Sequence, residues 1–141
     1  MNATLITNGS VIDGTGAAPR VESVLILGDK IAATGAAAEA QAVQTPGVQT
    51  MDVAGCTIMP GLIDGHCHIS FDEPNSNDEL FFHRRHALAA ITAARNARRV
   101  LQSGVTSIMD ADSIFEIGVD LRDAAARHRC ARGAVRALLP V

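Results

Sequence analysis

Pro60-Gly61-Leu62-Ile63-Asp64-Gly65-His66-Cys67-His68-Ile69-Ser70 is the stretch on which the reading of this chain turns. Pro60-Gly61 is a turn pair, and the apolar residues after it have strand character. Alternate side chains of a strand share a face, so Asp64, His66 and His68 point one way and Ile63, Gly65, Cys67 and Ile69 the other. At ~3.3 Å per residue the two histidine Cα atoms stand roughly 6.6 Å apart. Imidazoles leaving one face at that spacing can converge on a single cation, at Zn–N distances of about 2.0–2.1 Å. Two imidazoles leave further coordination positions open, which suits divalent metals with carboxylate co-ligands. On spacing alone the pair also fits surface residues of an edge strand. Polar groups inside a protein, however, persist only when bonded or ligated.

Downstream, residues 71–77 read as a loop with acidic and turn residues. Asp72 and Glu73 there can line the mouth of a site, but read first as solvated loop. The spacing predicts one helix over residues 78–103, with Leu88, Ile91, Ala94, Ala97 and Leu101 as its apolar stripe. His83 and His86 then belong to the helix surface, beside Arg84 and Arg85. Gly104 suits the position after a helix end. Residues 105–109 are a second buried strand, ending at Asp110, and Asp112 and Ser113 are N-cap candidates. A further helix is expected from Ile114 or Glu116 to Arg129. Strand, helix, strand, helix in that order argues for parallel βα units.

Upstream, the chain reads as short strands and turns. Residues 4–6 and 10–12 flank the turn pair Asn8-Gly9. Residues 23–27 and 30–33 flank Gly28-Asp29, a two-residue hairpin signal. Residues 36–45 fit a short helix or a loose loop, and 49–53 and 56–59 are two more strands around Ala54-Gly55. Short strands at this spacing suggest a small β-sandwich or meander.

The 141 residues (14.7 kDa) are 48% hydrophobic and 19% charged with a net charge of −3, which excludes a disordered polyelectrolyte. An acidic balance, no Trp, no Tyr and four Phe give no support to nucleic-acid binding. No basic segment followed by an apolar one opens the chain, and no run of 18 apolar residues occurs, so neither a signal peptide nor a membrane partner is expected. Cys56, Cys67 and Cys130 lack metal-type spacing and read as reduced thiols of a cytoplasmic protein. Residues 122–141 hold five Arg against one Asp.

Pro60–Ser70 resembles the PG-[LF]-[IV]-D-x-H-x-H signature of the metal-dependent amidohydrolase superfamily. There it opens the first strand of a (β/α)8 barrel. The resemblance extends to "TLITNGSVIDGTG", "VLILGDKIAATG" and "MDVAGCTIMPGLID" upstream, to "LQSGVTSIMDA" at the second strand, and to "IGVDLRDAAA". The last is similar to the imidazolonepropionase-like and Xaa-Pro dipeptidase-like branch. It implies an α/β fold: part of a small β-sandwich over residues 1–59, then the first two βα units of a TIM-type barrel over residues 60–141. It implies metal-assisted hydrolysis of a carbon–nitrogen bond in a small amide, lactam or dipeptide. The divalent metal would be zinc, with one or two ions in the full-length family. His66 and His68 map onto the two metal ligands of the first strand, and Asp64 onto the motif Asp, in a supporting role. Asp110 stands at the end of the second strand, at the mouth of such a site. An oligomer is left open.

The family pattern also asks for a later Lys or Glu, two more His and a catalytic Asp acting as general base. A complete barrel takes ~250 residues, so no catalytic residue is assigned within 141. The abrupt Arg/Ala-rich run 128–141 raises an alternative expectation: a truncated or frame-shifted fragment with no turnover. A third is a small metal-binding module built on His66 and His68.

Overall fold

The computed structural model describes residues 2–127. The run 128–141, with Cys130 and the expected helix end at Arg129, lies outside the described residues. The chain divides into two compact units, with the boundary between Pro60 and Gly61.

The first unit is a five-stranded mixed sheet with one helix on it. Strands β1 (Ala3–Val11), β2 (Arg20–Leu27) and β3 (Lys30–Thr34) run antiparallel to their neighbours, in the order β3-β2-β1. β4 (Gln49–Asp52) and β5 (Thr57–Ile58) pair parallel with successive halves of β1. The Gly28-Asp29 hairpin forms as expected, with Leu27 opposite Lys30 and Gly28 at φ 64°. Residues 36–45 resolve into α1 (Ala36–Val43), whose Ala38 and Ala42 pack on Leu25, Leu5, Leu27 and Ala33.

Asn8-Gly9 differs from expectation: β1 runs through it without turning. Asn8 adopts φ 64°, and the register with β2 shifts between Ile6 and Gly9, so the pair makes a bulge. Gly9 has a steric reason to be glycine. A Cβ there would stand 2.5 Å from Ile58 Cδ1 and 2.8 Å from Val53 Cγ2.

The second unit is built on β6 (Leu62–Cys67) and β7 (Val105–Asp110), a parallel pair joined through α2 (His86–Gln102). A parallel pair needs such a crossover. Gly61 lies against Thr106 with no room for a side chain, and Leu62 N–H donates to Gly104 O at 2.9 Å. After β7 come a 3₁₀ turn (Ile114–Glu116) and α3 (Ile117–Arg127). Ile69, Ala89, Ala93, Ala97, Ile108 and Ile117 form the core.

Two expectations are corrected here. Residues 78–103 are not one helix. A single π turn (Glu79–His83) ends at Arg84 and Arg85, both extended (ψ 129° and 134°), and α2 starts at His86. The break follows from Arg84, whose buried guanidinium is paired with Asp72 and holds the backbone out of the helix. Of the expected stripe Leu88, Ile91, Ala94, Ala97 and Leu101, only Ala97 is on the buried face of α2. Ala89, Ala93 and Ala97, at i, i+4 and i+8, meet the sheet, while Ile91 is 68% exposed. Alanine's small side chain lets the helix backbone come close to β7 and to Ile69 beyond the end of β6.

Such a seam has little spare room. Ala93→Leu is expected to cost about 1–3 kcal/mol in urea unfolding, whereas Ile91→Ala stays within about 0.5 kcal/mol. Equal effects would show that the seam is loosely packed.

Candidate metal centre

β6 carries His66, and His68 follows directly after its last residue, Cys67. Asp64 lies opposite Ile108 and Cys67 opposite Asp110, so β6 has one residue more than β7 over this span and is bulged at Gly65-His66. Strict alternation is therefore broken: Cys67 and Ile69 pack towards the core, yet Ile63 is 77% exposed.

His66 and His68 nonetheless converge. Their Nε2 atoms are 3.1 Å apart, and the rings meet edge to face with centroids at 4.9 Å. Two ligands at the ~2.0–2.1 Å Zn–N distance in tetrahedral geometry sit about 3.3 Å from each other. The observed pair is close to that spacing. Without a cation, one Nε2–H can donate to the other nitrogen across the same gap. His68 stacks on Phe71 (centroids 4.6 Å, planes 14° apart). His68 Nδ1 is buried without a hydrogen-bond partner among the described residues. Nε2 is thus the nitrogen His68 presents to His66.

The supporting groups act on the backbone. Asp64 Oδ1 accepts the N–H of His66 at 3.0 Å, so this carboxylate shapes the bulge and holds no imidazole. Asp110 Oδ1 accepts the N–H of Ile69 at 3.3 Å, and Ala111 N–H donates to Cys67 O at 2.9 Å. Asp110 Oδ2 is buried without a hydrogen-bond partner among the described residues, beside Gly118 of α3, where any side chain would collide with it. Cys67 packs on the core. Burial first, then the carboxylates of Asp64 and Asp110, push its thiol above the ordinary range.

The remaining sequence candidates lie apart from this pair. Glu73 is exposed, and exposed His83 meets exposed Asp78 at 2.9 Å. His86 stacks on Phe115 with centroids at 3.7 Å. Phe115 and Glu116 hold positive φ (56° and 62°), a strained conformation for residues with side chains. Ser113 Oγ accepts from Gly118 N at 2.7 Å, so it serves the N-terminus of α3, and Asp112 is exposed. Among the described residues no third His, Cys, Asp or Glu joins His66 and His68 in a group that could hold a cation.

Sequence reasoning missed two residues. Arg84 is buried, with Nη2 donating to Asp72 Oδ1 at 2.6 Å and Nη1 without a partner among the described residues. The Asp72 bond is the main cause of its raised pKa. Asn96 sends Nδ2 to two carbonyls, Ile69 O at 3.0 Å and Phe71 O at 2.6 Å. Its one visible sign was a carboxamide set among the alanines that form the buried face.

No family model matches the chain. A dihydroorotase from Syntrophotalea carbinolica is 40% identical over 65 residues, 46% of this chain and 14% of that protein. An N-substituted formamide deformylase from Arthrobacter pascens is 39% identical over 49 residues, 35% of this chain and 9% of that protein. The crystal structure of a prolidase complexed with N-methylphosphonate-L-proline superposes on 99% of the chain, with TM-score 0.74 and 27% identity. The chain is an amidohydrolase relative. It spans 31% of the length of the solved prolidase. The mixed α/β architecture is that of the N-terminal part of such amidohydrolases. No helix among the described residues is long and apolar enough to cross a membrane.

The Arg84–Asp72 pair gives a test of the loop before α2. Asp72→Ala strands a buried guanidinium. With Asp72 itself 39% exposed, the cost expected in urea unfolding is about 1–2 kcal/mol. Arg84→Met removes the charge with its stem retained and is expected to cost less. The reverse order would mean that the ion pair does not hold the loop.

Proposed function

We propose that the protein to which these residues belong is a metal-dependent amidohydrolase. It hydrolyses a carbon–nitrogen bond of a small amide, lactam or dipeptide, and His66 and His68 are two of its metal ligands. The observation that carries the reading is the 3.1 Å approach of the two Nε2 atoms at the end of β6. The amidohydrolase relatives support the reaction class. A divalent cation held there, zinc by the chemistry of the donors, would supply an acidified water and polarise the bond under attack.

The chain's own residues have separable tasks in this reading. His66 and His68 present neutral nitrogens. Asp64 keeps the bulge that turns them together. Asp110, at the end of β7, closes the strand exit at the mouth of the site. The parallel β6–α2–β7 unit supports taking β6 and β7 as the first two strands of a (β/α)8 barrel, whose sites are built at strand C-termini. The sheet of residues 3–58 supports part of a flanking β-sandwich. The free thiols of Cys56 and Cys67 go with a cytoplasmic setting.

A second reading, that these 141 residues turn nothing over by themselves, has its own observation. The described residues bring two donors to the centre and no third, whereas a catalytic zinc site takes three protein ligands plus water.

Metal analysis after equilibrium dialysis, with amide and dipeptide hydrolysis assayed alongside, tests both. The wild-type chain is expected to take up zinc, and His66→Ala and His68→Ala each to weaken uptake at least about tenfold. Unchanged uptake in both variants would remove the metal assignment. Turnover by the purified 141 residues would remove the second reading.

A further inference from the structure

We infer that Asn96 is a positioning residue for the His66–His68 pair. The inference rests on the reading that this pair holds a divalent cation.

His68 is the first residue of a turn. Phe71 N–H donates back to His68 O at 3.2 Å, and the Phe71 ring lies flat against the His68 imidazole. The place of Phe71 therefore sets the plane of the ring that presents Nε2. Asn96 sets the place of Phe71. Its Nδ2 has two N–H groups, and each has a carbonyl of this turn: Ile69 O at 3.0 Å and Phe71 O at 2.6 Å. The carboxamide stands on the alanine face of α2, so the helix is the rigid mount. Asp110 Oδ1 holds the Ile69 N–H, and Ser70 Oγ, fully buried, accepts the Ile114 N–H at 3.0 Å. The turn is thus fixed from α2, from β7 and from the 3₁₀ turn. Of these three arms, only Asn96 bonds Phe71 itself, at its carbonyl, while the Phe81 ring meets the Phe71 ring edge to face with centroids at 5.7 Å.

Partners that orient metal-ligating histidines change metal affinity by about 10–100-fold when removed. Asn96→Asp keeps the side chain's shape and loses both N–H donors. The test is a zinc titration of the full chain, followed by NMR of the two imidazoles and of the Asn96 carboxamide. In the wild type, both rings and the Asn96 carboxamide signals are expected to shift with one midpoint. In Asn96→Asp the midpoint is expected to rise about 10–100-fold, with folding checked by circular dichroism. A bond that merely satisfies two carbonyls would lower the melting temperature and leave the midpoint alone. A folded Asn96→Asp variant with the wild-type midpoint overturns the inference. If that variant does not fold, the wild-type carboxamide decides: signals that stay still while the rings move overturn it. Rings that ignore zinc in the wild type refute the metal reading itself, which is a different result.

Discussion

Backbone groups that leave a strand inside a protein must find hydrogen-bond partners there, and the buried exit of β6 makes that demand. Ile69 and Ser70 are buried, and strand pairing has ended before them. An unpaired buried N–H or C=O costs about 1–3 kcal/mol. The fold meets the demand with side chains from two other elements, Asn96 of α2 and Asp110 of β7, and the turn's own Ser70 hydroxyl accepts the Ile114 N–H in return. Much of the second unit follows from this. α2 must lie close enough for a short carboxamide to reach the turn, which explains its alanine seam. Gly118 must lack a side chain so that α3 can start beside Asp110. The histidine pair inherits its geometry from that packing.

The bulge in β6 adds a second level of control. His66 lies near the end of β6 and His68 just beyond it. The extra residue, held by the Asp64 carboxylate on the His66 amide, lets the two rings meet at 3.1 Å. A carboxylate next to a histidine is easily read as an imidazole partner. Here it governs the ring through the main chain.

Features that depend on neighbours in the chain were legible in the sequence, and features that depend on partners far along it were not. The Gly28-Asp29 hairpin and the strands on either side of α2 follow from local rules of turn and period. The Asn8-Gly9 bulge was misread because the same dipeptide serves turns and bulges, and the choice is made by Val53 and Ile58, more than forty residues on. The helix break at Arg84 was hidden because its cause, Asp72, lies twelve residues away. The buried face of α2 was misassigned because hydrophobicity ranks Leu88 and Ile91 above alanine, while close approach to a sheet rewards small size. Asn96 carries no motif at all. Its importance appears only when the turn it grips is folded against it.

The central place of β1 has a consequence for how the chain is made. β1 leaves the ribosome before any of its partners, and its farthest pairing, Ser10 with Thr57, joins residues far apart in the chain. At ~5–20 residues per second, β1 waits roughly 2–10 s for that partner. Through that interval its β4/β5 side is an open edge able to pair with another nascent chain. The Asn8-Gly9 bulge falls between the stretch of β1 that β4 covers, Thr4–Thr7, and the stretch that β5 covers, Ser10–Val11, so that edge is closed in two separate pieces as the chain lengthens.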